Sequence, residues 1–371
     1  MMKLRFSIFL LLALGFSRLT FAQSGQEKLS MLPAGKLKPL GRYAYNDKHD
    51  LELISSAVHF GFSFTGSGCE VYAYLPNPAE HAFLQYTLDG VYQKRIRING
   101  GNTEPIVIKA PQPGLHRIWI YKATEAQTGP IFVSKIEAAH VKALPISKSP
   151  LIEFIGNSIT CGAVADLSEY PCGTGAYYDQ HNAYMAYGPR VARSLGVNFI
   201  VSSVSGIGIY RNWNSDGPTM PQVYEKTGLW EPDQRLWDFK TYKPAIVSIA
   251  LGTNDFSNGD GKTPRKPFDA DTFTNTYVKF VKLVKSKYPK AGIALLSSPM
   301  VNGQNAATLE QCLVAVKHQI DSAYPNDKPV ETFFFKPMEG QGCFGHPSVE
   351  QHGIMAEEAL PFFKKLLDEV R

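Results

Sequence analysis

The sequence predicts two domains: an all-β sandwich of jelly-roll kind, then an α/β domain with a flavodoxin-like parallel sheet layered between helices. Three observations predict it. The chain has 371 residues, more than one hydrophobic core usually supports. Between residues 41 and 141 the apolar residues fall in short alternating runs separated by turn residues, the pattern of strands with one face buried. From Leu151 onward, apolar runs of strand length alternate with segments of helical period, the pattern of a parallel sheet covered on both faces.

In the first half the strand candidates are residues 57–64, 70–75, 83–88, 94–98, 106–108 and 116–121. Turns are expected at Thr65-Gly-Ser-Gly68, Asn77-Pro78, Asp89-Gly90, Asn99-Gly-Gly101 and Pro113-Gly114. Residues 142–150, with two prolines and two lysines, read as a linker. In the second half, strands are expected at Leu151 to Ile155, Val197 to Val204, Ala245 to Leu251, Ile293 to Ser297 and Val330 to Phe335. Helices are expected at Tyr184 to Leu195, Ala270 to Ser286, Ala306 to Ala323 and Val349 to Val370. Ser348 and Gln351 form a capping box for the last of these.

Residues 1–22 combine Lys3 and Arg5, an apolar run from Phe6 to Phe16 and a small-residue site at Ala22. This is the pattern of a secretory signal peptide, with residues 23–40 an N-terminal extension. An exported protein, periplasmic or secreted, is expected, with no cysteine placed for a lipid anchor. Loss of Lys3, Arg5 and Arg18 with the leader takes the formal charge from +5 to +2. A nearly neutral chain without a basic cluster argues against a nucleic-acid partner. The five cysteines are Cys69, Cys161, Cys172, Cys312 and Cys343. Export permits bridges, and Cys161 with Cys172 and Cys312 with Cys343 are the expected pairs, each tying a loop near the proposed site. No metal-ligand spacing occurs, and no cofactor is implied.

Four positions carry chemistry, three at the carboxyl ends of expected parallel strands, where open α/β sheets place their ligands, and one just before the last helix. Ser158 follows Gly156-Asn157 after the first strand and is a nucleophile if a base and an oxyanion site exist. Ser205-Gly206-Ile207-Gly208 follows the second, where a glycine N–H can approach a substrate closely, Gly206 first and Gly208 as the alternative. Asn254 follows the third and can aim its amide at a developing oxyanion. His346, in Gly345-His-Pro-Ser348 just before the last helix, is the expected base; His352 is the lesser candidate, and His318 reads as structural or exposed. Taken singly, these read as a helix cap, a loop turn, a strand-end turn and a surface histidine.

In this order the four resemble the motif blocks of SGNH hydrolases. Residues 62–68, 86–90, 116–125, 156–162, 205–212 and 345–348 further resemble carbohydrate esterase family 2, over nearly the whole mature chain. That resemblance implies an N-terminal jelly roll joined to an SGNH domain, and removal of O-acetyl groups from plant polysaccharides such as xylan and glucomannan, with a preference for the 6-position of hexoses. It implies Ser158 as nucleophile, His346 as base, and Gly206, Asn254 and the Ser158 N–H as oxyanion donors. Two departures stand out. Asn157 occupies a position where many relatives have Asp, and should be tolerated. The aspartate that SGNH enzymes carry two or three residues before the histidine is replaced by Phe344 and Cys343. A Ser-His dyad is therefore expected, with a backbone carbonyl fixing the imidazole; Glu339 and Asp255 are the carboxylate alternatives.

Trp213 and Tyr210 are expected to contact the sugar, since aromatic faces stack on pyranose rings; Trp230 and Trp237 lie in the same segment. The expected partner is an acetylated polysaccharide or oligosaccharide, and a monomer is expected. Two further readings stay open: an esterase of another ester (lysophospholipid, thioester or peptidoglycan O-acetyl), and a glycan-binding protein whose hydrolase half is catalytically dead.

Overall fold

The computed structural model describes residues 28–230 and 232–370. The leader read at residues 1–22 lies outside the described residues.

The first half is an antiparallel β-sandwich. Three long strands, His59–Tyr74, Ile106–Lys122 and Ile131–Ala143, form its centre. Phe60, Phe62 and Phe64 point to one face by the two-residue period and bury completely with Ile118, Ile120, Ile136 and Val71. Two expected turns are in fact bends. Gly66 and Gly114 pair across adjacent strands, and the register slips between Gly66 and Gly68. The glycines there make a β-bulge that curves a continuous strand, where the sequence pattern suggests a reversal. The sheet also begins earlier than its pattern indicates, at Leu29–Pro33, which pairs with Ile131–Ala143.

The second half is a three-layer α/β domain. Its five strands, Leu151–Gly156, Asn198–Ser203, Ile246–Ala250, Gly292–Leu296 and Glu331–Phe333, are all parallel, in the spatial order second, first, third, fourth, fifth. Helices Tyr187–Ser194 and Val349–Val370 cover one face through Tyr187, Val191, Met355 and Phe363. Helices Ala270–Lys287 and Gly303–Ala323 cover the other through Phe273, Phe280, Leu313 and Val316. The order reverses between the first and third strands, so a crevice opens at their carboxyl ends. The capping box forms: Gln351 N–H donates to Ser348 Oγ, and the Ser348 N–H to Gln351 Oε1.

The two halves share buried polar contacts. Arg42 of the sandwich is fully buried in the α/β domain. Its Nε donates to Ser202 Oγ at 3.1 Å, one terminal nitrogen donates to the Lys226 carbonyl, and the other stands 3.9 Å from the Glu153 carboxylate. The guanidinium also lies over the Tyr224 ring, 5.0 Å from its centroid. Removing the partners of a buried cation of this kind is strongly destabilising, so these contacts tie Arg42 of the sandwich to the α/β half.

Candidate active site

Gly156 ends the first parallel strand at a position where a Cβ would run into Thr160 Oγ1. Its absence lets the short helix Ser158–Cys161 press against the strand end. Asn157 caps that helix: its Oδ1 accepts the Ile159 N–H at 3.1 Å and its amide donates to Thr253 Oγ1 at 3.2 Å. An aspartate could accept the first bond but not donate the second, so the asparagine here supports the turn rather than the chemistry. Ser158 stands at the first helical position, where the backbone N–H has no partner within the helix.

His346 lies between Ser158 and Cys343. Its Nε2 is 2.9 Å from Ser158 Oγ, and its Nδ1 is 3.2 Å from the Cys343 carbonyl. The carbonyl can only accept, so it puts the imidazole proton on Nδ1 and leaves the Nε2 lone pair facing the serine. Burial pulls the His346 pKa below its usual 6.5, outweighing the stabilisation of imidazolium by the Cys343 carbonyl. The bulk of the imidazole is therefore neutral at pH 7.

Ser158, Gly206 and Asn254, the three residues expected to supply oxyanion donors, line one cleft. Gly206 has φ of +75°, a conformation that suits glycine, and lines the cleft with Ser158 and Asn254. The N–H of Gly208 is occupied by Asn212 Oδ1 at 3.0 Å, which removes it as the alternative. Asn254 donates one amide hydrogen to the Ile207 carbonyl at 2.8 Å, which orients the group and leaves its second hydrogen for a ligand.

Neither carboxylate alternative reaches His346. Asp255 is buried and accepts the N–H groups of Ile209, Tyr210 and Arg211 at 2.9 to 3.2 Å, so it holds the loop after the second strand. Burial raises its pKa to about 6, against those hydrogen bonds. The side chain of Glu339 is exposed, and its backbone carbonyl accepts from Gln351 Nε2 at 2.7 Å.

The cleft has a volume of about 440 Å³ and is walled by Tyr177, Trp213 and Phe344. Trp213 is 46% exposed. Tyr210 turns away: it packs on Phe268 and Phe273 and its hydroxyl accepts the Asp269 N–H. Trp237 is buried against Arg42, whereas Trp230 is exposed and lines a second groove of about 470 Å³ that shares Ser205, Gly206 and Trp213 with the cleft. His352 is fully buried one turn into the last helix, and His318 is exposed.

The cysteine pairing differs from the expected one. Cys172 is bridged to Cys343, with Cα atoms 5.4 Å apart. Cys161 is sealed beneath the serine helix against Ser203 Oγ at 3.0 Å, and Cys312 is buried on helix Gly303–Ala323. Cys161 packs in a small cluster with Ala163, Val164 and Cys343, but Cys172 and Cys343 already hold each other, which leaves Cys161, Cys312 and Cys69 free.

Sequence reasoning missed the environment behind the site. Glu125, the last residue of the block 116–125, and His181 are both buried beneath Tyr177. Burial pushes the Glu125 pKa up, but hydrogen bonds from His181 and the Ser205 N–H outweigh it and hold the group ionised. Lys122 Nζ donates to the carbonyls of Ile54, Glu125 and Gly129, locking the turn that carries Glu125; burial lowers its pKa to about 7.

A serine paired with a histidine at the carboxyl edge of a doubly wound sheet, beside backbone and asparagine donors, defines an SGNH-type hydrolase. Residues 154–326 match the model of the GDSL-like lipase/acylhydrolase family, and residues 40–146 match the carbohydrate esterase 2 N-terminal model. The chain is 31% identical over 327 residues to an acetylxylan esterase/glucomannan deacetylase of Cellvibrio japonicus, covering 82% of this chain and 86% of that one. It belongs to carbohydrate esterase family 2 and is a carbohydrate esterase. A family two carbohydrate esterase from the same organism superimposes with a TM-score of 0.78 over 93% of this chain and 99% of that one, at 24% identity. One from Clostridium thermocellum, solved in complex with cellohexaose, gives 0.76 over 91% and 99%, at 26% identity.

Proposed function

We propose that the protein is an exported esterase that removes O-acetyl groups from xylan and glucomannan, favouring the 6-position of hexoses, through an acetyl-enzyme on Ser158. The observation that carries the reading is His346 suspended between Ser158 Oγ and the Cys343 carbonyl. Ser158 Oγ attacks the acetyl carbonyl carbon as its proton passes to His346 Nε2. The oxyanion accepts hydrogen bonds from the N–H groups of Ser158 and Gly206 and from the Asn254 amide. Collapse breaks the bond to the sugar oxygen, which takes the proton from His346. Water, deprotonated in turn by His346, then releases acetate and restores Ser158.

The Cys343 carbonyl does the orienting work of the missing aspartate, making the pair a dyad. It fixes the tautomer but stabilises imidazolium less than a carboxylate would. A cleft of about 440 Å³ opening into a groove between Trp213 and Trp230 suits an acetylated sugar within a chain. The names of the relatives support the polysaccharide, and residues 1–22 support export. We read the sandwich as a jelly roll and the working unit as a monomer. The test is acetate release from acetylated xylan and acetylated glucomannan, wild type beside Ser158→Ala. Release by the wild type alone is expected; release by the variant at a comparable rate overturns the reading.

A further inference from the structure

The N-terminal sandwich reaches the reacting groups through one side chain. Glu125 sends its two carboxylate oxygens in different directions. Oε2 accepts the Ser205 N–H at 2.6 Å, fixing the peptide next to Gly206. Oε1 lies 3.2 Å from His181 Nε2. His181 Nδ1 accepts the Val164 N–H at 3.3 Å, so the imidazole proton sits on Nε2 and is donated to Glu125. The Val164 carbonyl accepts the Cys343 N–H at 3.0 Å, and the Cys343 carbonyl accepts from His346 Nδ1. Val164 holds a left-handed φ of +49°, and Phe344 one of +53°; such backbone persists in bulky residues only where its surroundings impose it.

We infer that Glu125 is a positioning residue: from the sandwich domain, it holds both the Gly206 oxyanion turn and, through His181, Val164 and Cys343, the carbonyl that orients His346. Resting on the esterase reading above, this makes the sandwich a working part of the site rather than a separable binding module. Glu125 is 2% exposed and touches no ligand position. Its replacement by Gln keeps the shape but puts an NH₂ group against either the Ser205 N–H or the His181 N–H, both donors. One of the two supports must then break.

The experiment is steady-state hydrolysis of an aryl acetate by purified full-length wild type, Glu125→Gln and Glu125→Asp, with thermal unfolding of each. Glu125→Gln should lower kcat by at least about tenfold, the scale of losing part of an oxyanion contact, with KM within about twofold. Burial and His181 lower the His346 pKa, while the backbone of Cys343 and Phe344 and, as a smaller contribution, the Glu125 charge raise it. Removal of that charge should therefore move the acid limb of kcat/KM to lower pH, which loss of packing alone would not do. Glu125→Asp keeps the charge and should fall between the two, with the limb unmoved; it is the decisive variant if Gln does not fold. A folded Glu125→Gln with kcat within twofold of wild type overturns the inference, as does a kcat loss with rising KM and an unmoved limb, or a fully active Glu125→Asp where Gln does not fold. A wild type without esterase activity overturns the reading beneath it instead.

Discussion

Replacing Cys172 by Ser separates what the disulfide does for stability from what the loop does for chemistry. The bridge spans a sequence separation of 171 residues. In the chain-entropy model, opening a loop of that length relaxes the unfolded chain by about 5 kcal/mol at 25 °C. With about 2 cal/mol/K of unfolding entropy per residue, that loss lowers Tm by about 7 °C for a chain of this size unfolding as one unit. Turnover should suffer much less, because other contacts hold the Cys343 loop. Cys343 N–H donates to the Val164 carbonyl at 3.0 Å, Gly342 N–H to the His346 carbonyl at 2.7 Å, and Gln341 N–H to Gln351 Oε1 at 2.7 Å. Cys172 itself is exposed, so the new hydroxyl meets water and not a core. The assay is calorimetric unfolding beside aryl acetate kinetics at 25 °C, where kcat should stay within about tenfold of wild type, or about 1.4 kcal/mol of barrier. An unchanged Tm, or a thousandfold loss of kcat in a folded variant, would refute the reasoning.

Asn254→Ala removes one of the three proposed oxyanion donors and should lower kcat by about 10²- to 10³-fold with little change in KM, read on the same aryl acetate; a loss below fivefold would assign the amide to the Ile207 loop alone. Catalysis needs neutral His346, whose pKa lies below 6.5 in the folded protein, so kcat/KM should fall as pH drops through a midpoint below 6.5 and stay level above it. A midpoint above 6.5 in the pH–rate profile would contradict the burial argument. Trp213→Ala should raise KM for acetylated oligosaccharide several-fold while leaving a small aryl acetate nearly unaffected; equal losses on both substrates would make the ring a fold element.

The strands and helices of the α/β half were legible because their apolar runs have unambiguous length and period; Ser158 and Asn254 follow strand ends and His346 precedes the last helix. The long strands of the sandwich were harder: Gly66 and Gly114 look like turns in one dimension, and only cross-strand pairing distinguishes a bulge from a reversal. Tyr210 and Trp213 are close in sequence and differ only in which way the loop faces, which Asp255 decides by gathering the Ile209, Tyr210 and Arg211 N–H groups. The cysteine pairing depended on two loops of the α/β half, near residues 172 and 343, that are far apart in sequence and meet only once that half has folded. Glu125 and His181 act across the domain boundary, so no local spacing could join them; the one signal was that Glu125 closes a block shared with the family.

The central claim is that His346 activates Ser158 as a covalent nucleophile. Its most direct test is labelling with a fluorophosphonate, which loses fluoride to an activated serine oxygen and leaves a stable adduct that peptide mass spectrometry can locate. One adduct per chain on the Ser158 peptide is predicted, formed far more slowly in His346→Ala. An esterase-active wild type labelled on a different residue, or labelled equally fast without His346, would contradict the account.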